Sequence, residues 1–136
     1  MTYISGRHAL NLPCTLDTCG DWHASALQWH TPFIRDSNES VYGDYGIEHN
    51  KKIPESNELY SVANHIRAIM DLLELERYTC ARGMRDDFIC NDKYTNEIFN
   101  LVLWQRKLSH WSKVNDFMKK EYKISWMDFI ESEQYG

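Results

Sequence analysis

The chain has 136 residues, of which 43% are hydrophobic and 26% are charged, and its formal net charge at pH 7 is −5. This composition excludes the class of highly charged disordered chains, and the acidic balance disfavours a general nucleic-acid binder, because phosphate contacts need clustered Lys and Arg. A chain of this length fits one domain with one core, so we expect a single domain over residues 1–136.

The start of the chain lacks the features of a secretory signal, because no basic residues precede a long apolar run. The apolar stretches are interrupted by polar residues such as Asn64, Arg67 and Asp71, and they fall short of the roughly 20 residues that cross a bilayer. Four cysteines without a signal indicate reduced thiols rather than a disulfide framework. These features predict a cytoplasmic protein without a membrane segment.

The first part of the chain, residues 1–55, is interrupted repeatedly by Gly and Pro, which predicts short elements joined by turns. The apolar residues from Thr2 to Leu12 predict a strand. The stretch from Trp22 to Trp29 is compatible with a helix or a strand, and we favour a helix.

From Ser56 onward the apolar residues recur at three- and four-residue steps, which predicts one long amphipathic helix. Its apolar stripe comprises Leu59, Val62, Ile66, Ile69, Met70 and Leu73. A second helix is predicted from about Tyr94 to Lys107, with Asn91 or Asp92 near its cap. A third helix follows closely, with Trp111, Val114, Met118 and Tyr122 on one face.

A last amphipathic turn is predicted at the C-terminal end of the chain, where Trp126, Phe129 and Ile130 can pack against the third helix. Ser125, with Asp128 three residues later, resembles a capping box in which Asp replaces the usual Glu or Gln.

Residues 78–90 lie between the predicted first and second helices and contain β-prone residues such as Tyr78, Phe88 and Ile89 around Gly83. This pattern predicts a short hairpin or a pair of strands. The expected fold class is therefore α+β, with a small sheet from the N-terminal half and the 78–90 segment packed on three to four C-terminal helices.

The densest group of metal-ligand residue types is Cys14, Cys19, His23 and His30, with the spacing C-x4-C-x3-H-x6-H. Zinc modules usually pair their ligands about two to five residues apart, so this spacing fits only in part. The alternative is that the cysteines are small buried hydrophobic residues and the histidines lie at the surface. Zinc is the cofactor that this pattern would hold, and otherwise no cofactor is expected.

An enzyme without a metal would need an acid/base set, and the best candidates are His8, Asp17, Asp21 and His23. A carboxylate beside a histidine can fix its tautomer and raise its basicity, as a catalytic pair requires. The alternative is local structure, because Asp next to Gly or Thr is common in turns and at helix N-caps.

Candidate binding residues are concentrated in two places of the first half. One is the pair Trp22 and Trp29, and the other is the string Tyr42-Gly43-Asp44-Tyr45-Gly46-Ile47-Glu48. Tyrosines offer stacking faces with polar tips, and glycines allow a close approach of the backbone, so a ligand or a partner could bind here. A tyrosine-bearing turn without a ligand is the favoured alternative.

A local basic region occurs near the C-terminus, where six basic and two acidic residues between positions 105 and 123 give a charge of +4. Lys113, Lys119, Lys120 and Lys123, with interleaved aromatics, could contact nucleic acid or an acidic protein. The more common arrangement places such lysines on the solvated faces of helices whose aromatics point inward.

The strings SGRHALNLPC, LDTCGDWHASALQW and VYGDYGIE resemble those of small bacterial proteins of unassigned function, associated with mobile elements and with defence or toxin–antitoxin neighbourhoods. The resemblance covers the N-terminal 50 residues best. It implies no activity for particular residues.

Three functional hypotheses follow from the sequence. The first is a non-catalytic protein-interaction module of the antitoxin, immunity or anti-defence kind, which blocks a partner protein through its Tyr and Trp side chains. The second is a small hydrolase or transferase with a His/Asp or zinc site in residues 8–30. The third is nucleic-acid binding through the C-terminal basic helices.

Overall fold

A computed structural model describes residues 1–135 of the chain. It contains one sheet, all of whose strands come from the first half of the sequence. The strands are Thr2–Ile4 (β1), Ile34–Asp36 (β2), Ile47–Lys52 (β3) and Leu59–Ala63 (β4), in the order β2-β1-β4-β3. The central pair β1–β4 is parallel, and the two outer pairs are antiparallel. Tyr3 and Ile4 of β1 are almost completely buried, so the sheet forms one side of the core.

The helices account for most of the rest of the chain. They are Gly6–Leu10 (α1), His65–Glu74 (α2), Tyr78–Ala81 (α3), Thr95–Val102 (α4), Trp111–Tyr122 (α5) and Ile124–Tyr135 (α6). Helix α2 is the central one, because nine consecutive residues from His65 to Leu73 are buried. The combination of one mixed sheet with packed helices confirms the α+β class.

The prediction of one long helix from Ser56 is wrong at its start. Leu59 and Val62 belong to β4, and α2 begins at His65. The Asn64 side chain separates the two elements, since its Oδ1 accepts a hydrogen bond from the Arg67 backbone N–H at 2.8 Å and so caps the helix. The apolar residues of β4 and α2 are spaced at intervals that also fit a single helix, which is why the sequence pattern did not separate the two elements.

Residues 78–90 are helical, which corrects the prediction that they add strands to the sheet. After α3 the chain forms a π-helical turn over Met84–Ile89, bounded by Gly83 and Cys90 in the left-handed conformation. The Phe88 carbonyl accepts a hydrogen bond from the Gly20 N–H at 2.8 Å, so this turn is anchored to the N-terminal half. Tertiary contacts of this kind override local β propensity.

The other short elements of the first half also differ from their predictions. The strand predicted from Thr2 to Leu12 ends at Ile4, because α1 follows after Ser5. The stretch from Trp22 to Trp29 contains a single 3₁₀ turn at Ala24–Ala26 instead of a regular helix.

The C-terminal helices lie where the sequence predicts them. The second predicted helix appears as α4 followed by a 3₁₀ turn at Leu103–Gln105, and α5 contains the residues predicted to share one face of the third helix. Trp126 of α6 is fully buried, so the last helix docks as expected. Ser125 does not form the predicted capping box; its hydroxyl donates to the Tyr122 carbonyl at 2.8 Å instead.

A network of buried charges joins the sheet to α2. Asp71 is 0% exposed and accepts hydrogen bonds from Arg67 and Arg35 at 3.0 and 2.6 Å. It also accepts hydrogen bonds from the Tyr3 and Ser5 hydroxyls, each at 2.6 Å. Because every member is paired, this cluster serves as a polar part of the core.

The guanidinium of Arg67 also holds the turn at residues 42–46. It donates to the carbonyls of Gly43 and Tyr45. A Cβ atom added at Gly46 would lie 2.8 Å from the Arg67 Cβ, and the φ of Gly46 is +71°, so this position requires glycine.

Cys19 and Cys90 form a disulfide across 71 residues, with their Cα atoms 5.9 Å apart. The prediction of reduced thiols is therefore wrong for these two residues and holds for Cys14 and Cys80, which are free. Sequence spacing gave no indication of the pairing, because the two cysteines meet only after the π-helical turn docks on the N-terminal segment. Within the described residues, no helix is long and apolar enough to cross a membrane.

Candidate functional site

A cleft of about 250 Å³ lies between the loop that follows α1 and the N-terminal end of α2. Cys14, Thr18 and Cys19 from the loop and His65 from the first turn of α2 contribute to its walls. Trp22 also lines it and is 85% exposed. We refer to this site as the cysteine cleft.

Cys14 and His65 are joined by the hydroxyl of Thr18. The Thr18 Oγ1 lies 3.6 Å from the Cys14 Sγ and 2.7 Å from the His65 Nδ1. Cys14 is half-buried, whereas His65 is 3% exposed. The arrangement places a thiol at the accessible end and an imidazole at the buried end of one hydrogen-bonded chain.

The imidazole of His65 is held in one orientation by the main chain. Its Nε2 lies 2.7 Å from the Leu12 carbonyl, which can only accept, so the Nε2 carries a proton and donates. In the neutral ring the Nδ1 is then an acceptor and faces Thr18 and Cys14. A nucleophile, a base and a group that orients the base are the three parts of an activated thiol site.

The two titratable groups of the cleft influence one another. Burial alone would raise the pKa of Cys14, but hydrogen bonding to the side chain and backbone of His65 and to Thr18 lowers it to about 7. Burial alone would lower the pKa of His65, but its interactions with Cys14 and the Leu12 carbonyl raise it above the ordinary value. Both directions favour a thiolate beside an imidazolium, which is the reactive form of a cysteine.

Gly20 allows the loop to lie directly against His65. A Cβ atom at this position would be 2.7 Å from the imidazole Cε1 and 2.7 Å from the Leu10 carbonyl oxygen, and the φ of Gly20 is +71°. Its neighbour Asp21 donates its backbone N–H to that same carbonyl at 2.8 Å. The cleft therefore depends on a residue without a side chain at position 20.

Glu48, predicted as a binding residue, supports the loop beside Cys14. Its carboxylate accepts hydrogen bonds from the backbone N–H of Thr15 at 2.9 Å and from the Thr15 hydroxyl at 2.6 Å, and it pairs with Lys51. Burial alone would raise the pKa of Glu48, but these partners lower it overall. Its negative charge also helps to raise the pKa of His65.

The four residues predicted as an acid/base set, His8, Asp17, Asp21 and His23, do not form one hydrogen-bonded cluster. Asp21 pairs with His23, and Asp21 lines the cysteine cleft. Asp17 lies in an exposed ion pair with Lys93.

His8 belongs to a different pocket and cannot serve as a free base. Its Nδ1 accepts from the Phe33 backbone N–H at 3.2 Å, which leaves the proton on Nε2 to be donated to the Gln28 carbonyl at 3.0 Å. The ring also packs edge-on against Trp29. Both nitrogens are therefore occupied by structural hydrogen bonds.

The predicted zinc site of Cys14, Cys19, His23 and His30 does not form. Cys19 is committed to the disulfide with Cys90, and a disulfide sulfur is not the thiolate that zinc binds. His23 pairs with Asp21 instead. No group of three or more His, Cys, Asp or Glu side chains in the described part of the chain is placed to hold a metal ion.

The aromatic residues predicted to bind a partner are mostly structural. Trp29 is 4% exposed, and its Nε1 donates to the Ala24 carbonyl. Tyr42 is also buried, and its hydroxyl donates to the Leu101 carbonyl at 2.6 Å. Tyr45 donates its hydroxyl to Glu97 but is 37% exposed, and Asp44 is exposed as well.

The C-terminal lysines occupy exposed positions. Lys113 and Lys120 line a groove of about 420 Å³ beside α3, and Lys113 pairs with Glu76 at 3.3 Å. Lys119 and Lys123 are also exposed. Contact between these lysines and nucleic acid stays a prediction.

Sequence reasoning missed His65, which interrupts an apolar stretch and carried no recognisable spacing to Cys14. The sequence contains one signal that could have identified it: Asn64, a residue type common at helix N-caps, directly precedes His65. A helix that begins here places His65 at the end of an element, where functional residues often occur. Comparisons with protein-family models, with curated proteins and with solved structures find no match to the chain.

Proposed function

We propose that the protein is a small thiol-dependent hydrolase or transferase, with Cys14 as its nucleophile and His65 as its general base. One observation carries the proposal: an accessible thiol and a buried, oriented imidazole are linked through the Thr18 hydroxyl in one cleft. The proposal moves the expected enzyme site from the His/Asp set to this pair.

The chemistry follows from the two side chains. Transfer of the Cys14 proton to the His65 Nδ1 leaves a thiolate, which attacks an electrophilic carbonyl carbon and forms a carbon–sulfur bond. The bond to the leaving group breaks, and the imidazolium returns its proton to that group. Water or another nucleophile then cleaves the carbon–sulfur bond and regenerates the thiol, so that water gives hydrolysis and another acceptor gives transfer.

The cleft favours a small substrate or the end of a chain. Its volume of about 250 Å³ is below the usual range for drug-sized ligands, about 300–1,000 Å³. Apolar residues such as Leu10 and Pro13 form much of the wall, and Trp22 offers an exposed ring at the cleft. An acyl group with a short apolar or aromatic end fits these surroundings.

The test is the rate at which iodoacetamide alkylates Cys14 as a function of pH, followed by peptide mass spectrometry. We expect half-maximal reactivity near pH 7, because the paired thiol ionises there. Cys80, the other free cysteine, is the internal control. Equal rates at both cysteines across the pH range would contradict the proposal.

The second candidate function is the protein-interaction module of the antitoxin, immunity or anti-defence kind. Its support is a surface patch around Trp104, whose side chain is 57% exposed. The Trp104 ring stacks on Tyr42 with the ring centroids 5.7 Å apart. Val41, which is 38% exposed, lines the same groove. Exposed Trp side chains of this kind anchor many protein interfaces.

The two functions can be separated with two variants. For the interaction module, Trp104→Ala is expected to lose a partner retained by wild-type protein from host extract, and Cys14→Ser is expected to keep it. Retention by both variants would count against Trp104 as the anchor.

A further inference from the structure

The cysteine cleft contains two forms of sulfur. Cys14 is a free thiol, and Cys19, which lines the same cleft, is half of the disulfide with Cys90. A thiol with a pKa near the ambient pH is the best attacking group for a disulfide, because it combines a large thiolate fraction with retained nucleophilicity. Cys14, with a pKa of about 7, meets this condition.

We propose that Cys14 exchanges with the Cys19–Cys90 disulfide, so that the protein interconverts between two disulfide pairings. The inference rests on the proposed function, because it uses the same nucleophile. It adds a regulation of that nucleophile: the second pairing contains no free Cys14 and is inactive toward other substrates.

The exchange balances without an external oxidant or reductant. The Cys14 thiolate attacks the Cys19 Sγ, a Cys14–Cys19 bond forms, and the Cys19–Cys90 bond breaks. Cys90 leaves as a thiolate and can take the proton that His65 received from Cys14. One disulfide and one thiol are present before and after the step.

Loss of the Cys19–Cys90 bond leaves the loop attached to the segment that carries Cys90. The Gly20 N–H donates to the Phe88 carbonyl at 2.8 Å, and the Asp17 N–H donates to the Tyr94 hydroxyl at 2.8 Å. The Asn91 side chain donates to the Asp17 carbonyl at 3.1 Å. These three hydrogen bonds keep Cys90 close to Cys19, so the exchange is reversible and does not require unfolding.

Cys14 and Cys19 line the same cleft, and the residue before Cys19, Thr18, contacts the Cys14 Sγ at 3.6 Å. Cys14 and Cys19 are five positions apart in a segment without regular secondary structure. Cys80 lies elsewhere, in a groove lined by Phe33 and Arg77, and does not take part. It is therefore the matched control for a free thiol outside the cleft.

The test is disulfide mapping of the intact protein. Protein equilibrated at pH 8 without reductant is quenched with excess N-ethylmaleimide, digested and analysed by mass spectrometry. We expect a fraction of molecules with a maleimide on Cys90 and a Cys14–Cys19 cross-link. Cys80→Ser should keep this fraction, and Cys14→Ser should lose it.

A second variant tests the route of the exchange. His65→Gln is expected to slow the appearance of labelled Cys90 at pH 7, and the rate should recover toward wild type above pH 9, where any thiol is ionised. This dependence on pH distinguishes loss of the base from a general change of the fold.

The inference would be overturned if Cys90 were never labelled in the wild type, or if it were labelled equally in Cys14→Ser. Rapid alkylation of Cys14 near pH 7 together with an unlabelled Cys90 leaves the proposed function standing and removes only the exchange. Slow alkylation of Cys14 with an ordinary pH profile removes the proposed function itself.

Discussion

Gly20 is the residue at which the cysteine cleft depends most on the absence of a side chain. Gly20→Ala places a methyl group 2.7 Å from both the His65 Cε1 and the Leu10 oxygen, so the loop or the ring must move. We expect a loss of about 1–3 kcal/mol in the free energy of unfolding from strain and displacement. We also expect the pKa of Cys14 to move up toward its ordinary range.

Gly43→Ala is the matched control for this substitution. Gly43 also has a positive φ, +55°, but a Cβ atom there would have no heavy atom within 4 Å. Gly43→Ala therefore introduces the strain of a side chain at positive φ without a steric clash. Chemical denaturation and the pH profile of alkylation measure both effects, and an unchanged Cys14 profile in Gly20→Ala would contradict the role of the close contact.

His65 is the residue whose replacement should change thiol reactivity most directly. In His65→Gln the imidazole that lowers the pKa of Cys14 is lost, and the midpoint of alkylation should rise from about pH 7 toward about 8.5. The midpoint should rise because His65 stabilises the charged thiolate of Cys14, and without this stabilisation the thiol ionises at higher pH. Stopped-flow alkylation from pH 5 to 10 measures the shift; an unmoved midpoint would assign the low pKa to another group.

The sequence allowed only half of this site to be foreseen. Cys14 stands out because it lies in a cluster with Cys19 and His23, but its partner His65 is 51 positions away and belongs to another element. Local spacing reports contacts within one element or turn, whereas the Cys14–His65 pair forms only when the loop folds onto α2. The pairing of His23 with Asp21, two positions away, is by contrast a local contact of the kind that sequence spacing can indicate.

At the scale of elements, α2 carries the buried charges on which the core depends. Arg67→Met removes a guanidinium that pairs with Asp71 and holds the 42–46 turn, and it leaves a carboxylate that is 0% exposed with fewer partners. Breaking a buried pair typically costs about 3–5 kcal/mol, and we expect a loss of this size in urea denaturation.

Lys113→Met is the comparison for a charge pair at the surface. Lys113 pairs with Glu76, and both side chains are largely exposed. Such pairs contribute about 0–1 kcal/mol, so we expect a small change or none. Equal losses for the two variants would contradict the distinction between buried and exposed pairs.

Elements with one strong period were predicted well, and elements decided by distant contacts were not. Helix α5 is long and continuous, so its 3.6-residue pattern identifies it. The β4 strand directly precedes α2, and the apolar residues of both elements have spacings that fit one helix. The residue that marks the boundary is Asn64, the N-cap of α2. The π-helical turn at Met84–Ile89 depends on left-handed residues at both ends, including Cys90, for which the sequence offers no signal.

For the whole molecule, the Cys19–Cys90 disulfide joins the N-terminal loop to the middle of the chain. A cross-link across 71 residues restricts the unfolded state, and the chain-entropy model gives a stabilisation of about 4 kcal/mol. We expect the double substitution Cys19→Ser and Cys90→Ser to lose a similar amount in thermal or denaturant unfolding. Cys80→Ser, which removes a free thiol, is the control; a comparable loss in the control would show that the disulfide is not the cause.

The hold of Arg67 on the 42–46 turn has a consequence for how this sequence can change over evolutionary time. The arginine needs the Gly43 and Tyr45 carbonyls, excludes a side chain at Gly46, and is itself balanced by Asp71. A change at one of these positions leaves a polar group unpaired or creates a clash until another changes as well. In a set of related sequences, we therefore expect Gly46, Arg67 and Asp71 to be kept together or replaced together, even though they are far apart along the chain.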